Sequence, residues 1–253
     1  GDMKKLNEAI GAFCDNTRDA VKGSVMDEAS KGFVNGGGIN AEKLARCVRA
    51  WAGECGDFIA PSQTITYLSS HDDWTLWDKL VCTMDAKRNF TGYDAKIIAA
   101  NKLAFAMLSM CQGHLFMLSG EEFGRTKQGV RNSYCSPLSI NAMDWQRCAK
   151  NQALVDYYRG MIALRKQLPA LQDKTALAGS RILGLRQKGD QAASIMLDNG
   201  ADSKYTQLLL CYNASDKAVP LNLPKGSWAV LADEKSSFLW EDHATISTKM
   251  EIP

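Results

Sequence analysis

Near Ala178, Gly179 and Ser180 the hydrophobic rhythm of this 253-residue chain changes. Before that point, short apolar runs alternate with segments of helical spacing. The pattern predicts strands over Ala9–Phe13, Ile65–Leu68 and Leu115–Leu118, and helices over Ala41–Ala52, Lys96–Met110 and Val155–Leu168, the last stopped by Pro169. After it, only short strands remain, expected over Arg181–Gln187, Ala192–Leu197, Gln207–Tyr212 and Trp228–Leu231 and divided by Gly, Asp, Asn, Pro and Lys clusters. Strand–helix–strand order builds parallel sheets, because a parallel neighbour needs a crossover long enough to hold a helix. Strands joined by short turns pair antiparallel. The chain therefore reads as an α/β domain over residues 1–178 and a small antiparallel β domain over residues 179–253.

Composition narrows the function. Hydrophobic residues make up 45% and charged residues 23%, an ordinary globular balance. Thirty Lys and Arg against 28 Asp and Glu leave +2, which gives no basic field for nucleic acid or anionic lipid and favours a neutral ligand. The longest apolar stretch, Leu103 to Leu118, is broken by Gln112, Gly113 and His114 and falls short of the ~20 residues of a membrane helix. Eight cysteines at irregular spacing include no Cys-x-x-Cys pair and no zinc-type cluster. They read as reduced packing residues and place the chain in a reducing, cytoplasmic setting; no apolar leader is visible at Gly1-Asp2-Met3, and secretion of a longer parent stays open. The glycine-rich stretch from Lys31 to Ala60 has neither Gly-x-Gly-x-x-Gly nor a Walker lysine, so it reads as a surface loop. No metal and no cofactor is expected.

The segment Ile65 to Asp72 ends a buried-looking strand on a His71-Asp72 pair. In barrels of parallel strands, polar residues at the strand C-termini line the active site, because the loops there converge on one open face. An alternative reading has Asp72 or Asp73 capping a helix that begins near Thr75. Trp74 and Trp77 add aromatic surface of the kind that stacks on the C–H faces of sugar rings; Trp77 reads as core and Trp74 stays open between core and ligand platform.

Four blocks of sequence, in order, resemble the pullulanase-type starch-debranching enzymes of the α-amylase superfamily. Thr64-Ile65-Thr66-Tyr67-Leu68-Ser69-Ser70-His71-Asp72-Asp73-Trp74-Thr75-Leu76-Trp77-Asp78 resembles their fourth conserved region. Gly113 to Lys127, with Gly120-Glu121-Glu122-Phe123-Gly124-Arg125-Thr126-Lys127, is similar to the eighth barrel strand and its loop. Asn132-Ser133-Tyr134 and Asn141-Ala142-Met143-Asp144-Trp145 follow as the next landmarks, and upstream Gly11 to Gly23 resembles the sixth strand and an Arg-Asp loop.

The resemblance implies the last three β/α units of a (β/α)8 TIM barrel, strands 6 to 8, followed by an antiparallel β-sandwich domain. It implies hydrolysis of α-1,6 branch linkages in pullulan, starch or glycogen with retention. By this mapping Asp72 is the acid that stabilises the transition state, and His71 binds sugar hydroxyls beside it. Asp73, Trp74, Arg125, Asn132 and Tyr134 are further substrate contacts, Arg125 being equally readable as a structural ion-pair residue. The family's nucleophilic Asp and acid/base Glu map upstream of Gly1, so the chain is expected to be inactive alone. Two departures stand out: Asp73 replaces the usual Asn, exchanging a donor for an acceptor, and Leu138 stands where many relatives carry an acid. A third of a barrel would leave strand edges unpaired, so the expected partners are an α-glucan, the missing part of the same enzyme and, for the fragment, a second copy. An isoamylase-like hydrolase, a non-catalytic glucan-binding subunit and, more distantly, a thiol function are the competing readings.

Overall fold

A computed structural model describes residues 3–7, 9–53 and 56–240, together with the backbone of 245–246 and 249–252. Cys55, one of the eight cysteines, lies outside the described residues, as does part of the last stretch of the expected β domain.

The first part is built on three parallel strands, β1 (Ala12–Cys14), β2 (Thr64–Tyr67) and β3 (His114–Phe116), hydrogen-bonded in that order. The registers put Phe13 beside Ile65, Ile65 beside His114, and Tyr67 beside Phe116. Side chains alternate along a strand, so Phe13, Ile65, Tyr67, His114 and Phe116 share one face and Cys14, Thr64 and Thr66 the other. The second face is buried. The first is partly open: Phe13 is 47% and Phe116 36% exposed while Tyr67 is buried, with Phe13 packed edge-on against Tyr67 (4.9 Å) and Phe116 (5.4 Å). Parallel sheets are ordinarily covered on both faces, so this aromatic face is an unusual thing to leave in water.

Helices follow each strand. The chain turns from β1 straight into α1 (Asp15–Lys22), and α2 (Ala41–Val48) starts where the Asn40 side chain accepts from the Lys43 N–H. After β2 come α3 (Leu76–Met84) and α4 (Ala95–Ser109), the latter capped by Asp94, which accepts from Lys96 and Ile97. After β3 come α5 (Leu138–Asn141), α6 (Trp145–Lys150), α7 (Gln152–Lys166) and the short α8 (Pro169–Gln172). Pro169 does not merely stop α7; it opens α8 at the first-turn position where a missing N–H costs nothing.

The remaining strands are β4 (Ile182–Lys188), β5 (Ala192–Asp198) and β6 (Gln207–Asn213) in one antiparallel sheet. Two ribbons complete them: β7 (Val219–Asn222) with β10 (Lys249–Ile252), and β8 (Trp228–Ala229) with β9 (Thr245–Ile246). One buried cluster runs through both parts, joining Leu44 and Val48 of α2, Leu80, Phe105 and Tyr158 to Ile195, Leu197, Leu208 and Tyr212.

Several expectations need correction. The first strand is Ala12–Cys14 rather than Ala9–Phe13, because Asn7 folds the preceding residues into a turn, accepting from Ala9 and Ile10. The Arg-Asp stretch expected as a loop is α1. The helix predicted over Ala41–Ala52 ends at Val48, the strand predicted to Leu231 ends at Ala229, and β7, over Val219–Asn222, is not among the expected strands.

A turn at 233–236 docks on the helices, with Ser237 Oγ donating to Tyr157 O at 2.8 Å and Lys102 Nζ donating to Glu234 O at 3.1 Å. Gly160 makes the room. A Cβ there would lie 2.0 Å from Ser237 Oγ and 3.0 Å from its carbonyl carbon. In an exposed helix Gly→Ala gains about 1 kcal/mol. Here the clash outweighs it, and Gly160→Ala is expected to lose about 1–2 kcal/mol of unfolding free energy by urea titration. A stabilised variant would mean that the turn does not dock on α7.

Candidate functional site

The site is a turn between β2 and α3. Ser69 is buried and its Oγ accepts from the Leu76 N–H at 2.7 Å, which pins the beginning of the turn to the beginning of the helix. Thr75 caps α3, accepting from the Asp78 N–H at 3.0 Å. Neither Asp72 nor Asp73 is the cap, so that reading of the acids is overturned. Asp73 has φ +59°, the left-handed region that asparagine and aspartate enter more readily than other non-glycine residues. This reversal turns His71 and Asp72 outwards: their side chains are 87% and 66% exposed, with His71 Nε2 3.2 Å from Asp72 Oδ2.

The loop after β3 holds this turn. Arg131 Nε meets Asp73 Oδ1 at 2.8 Å, and Lys127 Nζ donates to His71 O at 2.6 Å. Lys127 is itself held by α3, since its N–H donates to Asp78 Oδ2 at 2.8 Å while Thr126 Oγ1 donates to the other carboxylate oxygen. Arg125 forms no ion pair among the described residues; its guanidinium donates to Ser119 O (3.1 Å) and Asn141 O (2.7 Å), closing the loop on itself. Asn132 and Tyr134 are exposed on the same loop, and Leu138 is exposed at the start of α5. Trp74 is only 7% exposed, so its ring is core and presents little face for stacking.

Beneath the turn lie a buried amine and a buried carboxyl, Lys22 and Glu121. Lys22, at the end of α1, is fully buried and its Nζ donates to Trp74 O at 2.8 Å. Burial lowers its pKa to about 7, against the pull of Glu121. Glu121, in the turn after β3, is buried too, and neither carboxylate oxygen has a hydrogen-bond partner among the described residues. Burial pushes its carboxyl up to about 7, opposed by the nearby Ser69 hydroxyl, which is not in hydrogen-bonding geometry, and by the Lys22 charge. Arg18 reaches across to Tyr67, whose hydroxyl donates to Asp15 Oδ1 at 2.6 Å. Arg18, Lys22, Tyr67, Ser69, Asp72 and Asp73 line a small cleft. A larger one, about 460 Å³, lies away from Asp72, between the β1 end and Asp57 and Phe58.

The motif blocks point to His71 and Asp72 but not to Lys22, Lys127, Arg131 or the role of Glu121. Lys22, Glu121 and Lys127 sit inside quoted blocks and Arg131 directly before another, but a buried charge cannot be told from a solvated one in sequence. Among the described residues no His, Cys, Asp or Glu cluster could hold a metal, and no helix is long and apolar enough to cross a membrane. Cys14, Cys47 and Cys111 are buried packing residues whose thiols burial pushes up, that of Cys47 to about 12.

No protein-family model matches the chain. It is 35% identical to a pullulanase of Bacillus subtilis (strain 168) over 219 residues, which is 85% of this chain and 30% of that protein. It is 28% identical to a glycogen debranching enzyme of Serratia proteamaculans (strain 568), over 68% of this chain and 30% of the relative. The crystal structure of pullulanase type I from Bacillus subtilis str. 168, complexed with maltose, superposes with a TM-score of 0.86 at 32% identity, covering 96% of this chain and 34% of that one. The chain thus spans about a third of the length of the proteins it matches.

Proposed function

Since this chain is a homologue of one part of the pullulanase-type debranching enzymes, we propose that it belongs to a glycoside hydrolase that cleaves α-1,6 branch linkages of pullulan, starch or glycogen. In this reading β1, β2 and β3 are strands 6 to 8 of the eight-stranded barrel, and β4 to β10 form the β-sandwich domain after it. The observation that carries the reading is the outward presentation of His71 and Asp72 at the C-terminal end of the middle strand of a parallel sheet. The partly open aromatic face of the sheet supports it, as a surface that the remaining strands, supplied by the rest of the same enzyme, would cover.

Retaining hydrolysis needs a nucleophilic carboxylate and an acid/base about 5–5.5 Å apart. Both belong to barrel units outside this chain. Asp72 then accepts hydrogen bonds from sugar hydroxyls as the ring flattens and positive charge gathers at the anomeric carbon, an interaction that strengthens in the transition state. His71 contacts hydroxyls in the same subsite. Asn132 and Tyr134 offer an exposed amide and ring to the glucan, while Asp73, Trp74 and Arg125 shape the site from behind. The free cysteines support a reducing compartment as its place of work.

Reducing-sugar release from pullulan, compared between this chain and a longer protein carrying all eight barrel units, tests the proposal. Activity in the longer protein alone is expected. Activity in this chain by itself would overturn the assignment of the nucleophile and acid/base, and no activity in either would remove the debranching reading.

A further inference from the structure

We infer that Lys127 and Arg131 are positioning residues for Asp72, two cations through which the loop after β3 clamps the His71–Asp73 turn at both of its ends. The inference rests on the reading of Asp72 given above.

The turn needs an outside support. Within it, Ser70 Oγ stands 3.5 Å from Asp72 O, too long to fix the backbone, and Asp73 occupies the left-handed region that side chains rarely adopt. Two contacts from one loop flank Asp72. On the N-terminal side Lys127 Nζ holds the carbonyl of His71 at 2.6 Å; on the C-terminal side Arg131 Nε holds the Asp73 carboxylate at 2.8 Å. The Asp72 carboxylate is hydrogen-bonded to neither among the described residues; it is paired with His71 and turned to solvent.

The clamp is anchored rather than floating. Lys127 is 3% exposed, and a buried ammonium is held in one place by the groups that compensate its lost hydration. The backbone beside it is tied to Asp78 of α3 through the Lys127 N–H and the Thr126 hydroxyl. The helix that leaves the turn therefore fixes the loop that returns to hold it. Arg131 adds a third connection, since its second nitrogen donates to Met26 Sδ at 3.3 Å, in the loop that follows α1. Loops from all three β/α units thus meet at one guanidinium, and the Asp73–Arg131 pair gives a use to the acid that stands where relatives commonly have asparagine.

Backbone 15N relaxation of Lys127→Met, Arg131→Met and the double variant tests this on the chain itself. Order parameters of residues 71–73 are expected to fall from about 0.85 to about 0.6 or below, with β2 unchanged. Arg131→Lys is expected to restore most of the loss from Arg131→Met. Order parameters that stay near the rigid value in the double variant would overturn the clamp. So would an equal loss over all three strands, which makes these residues general supports of the fold. In the longer, active protein the same variants should lower kcat about tenfold or more, with KM within about threefold, because small misplacements of a catalytic group cost rate before binding. Unchanged kcat alongside a loosened turn also overturns the positioning role. If the parent protein hydrolyses no pullulan, the debranching reading fails while the relaxation data still decide the clamp.

Discussion

Asp72→Ala, made in a protein that carries the whole catalytic barrel, is expected to lower kcat on pullulan by about 10²- to 10³-fold, the range seen when one preorganised transition-state contact is removed. Folding should survive the change. The Asp72 side chain is two-thirds exposed and its contact in the structure is with His71, itself exposed, so its removal opens no cavity and strands no buried partner. The loss should fall on kcat more than on KM, since the contact is made to charge that develops only as the glycosidic bond breaks. Asp72→Asn keeps the shape without the charge and should recover little. Near-normal turnover in Asp72→Ala would remove Asp72 from the chemistry, whatever the fate of the debranching reading.

The second large effect concerns stability. Lys22→Met leaves the buried Trp74 carbonyl without its donor and is expected to cost about 1–3 kcal/mol. Lys22→Met with Glu121→Gln removes both titrating groups and should flatten the pH dependence they create. The pair also sets a pH signature. Glu121 has a folded pKa raised to about 7 from 4.5, so its contribution is fully present below pH 4.5 and is lost as the pH rises to 7. Lys22 has a folded pKa lowered to about 7 from 10.5, so its contribution is present above pH 10.5 and is lost as the pH falls to 7. The two slopes meet in a minimum of unfolding free energy near neutrality, measurable by urea titration across pH 4–10. A double variant with the same minimum as the parent would assign it to other groups.

What the sequence made legible was local. Ile65-Thr66-Tyr67 is a β-branched and aromatic run, and β2 falls within one residue of where that run predicts it. The bounds of β4, β5 and β6 fall within one residue of the strands expected there. Ala9 to Phe13 misled because a short apolar run fits a turn as well as a strand, and only the side chain of Asn7 decides which. β7 is not expected from sequence, since Val219-Pro220-Leu221-Asn222 is short and carries a proline; a two-stranded ribbon tolerates it because the missing N–H can face outwards. At the site, His71 and Asp72 could be found because a motif carries them. Lys127 acts on a residue 56 positions away and Arg131 on one 58 away, and such partners emerge only when three strands bring their loops to one end of a sheet.

The same core that joins the two hydrophobic regimes bears on how this protein can be cut and recombined. Residues 178–180 look like a seam, yet Ile39 N donates to Asp190 O, Ala41 N donates to Gln187 Oε1, and α2 packs on β4 and β5. A chimera spliced there with the strand region of a relative inherits one half of a fitted surface. To fold, it must import residues that match Leu44, Ala45 and Val48 along with the strands, or move the splice to a place no packing crosses.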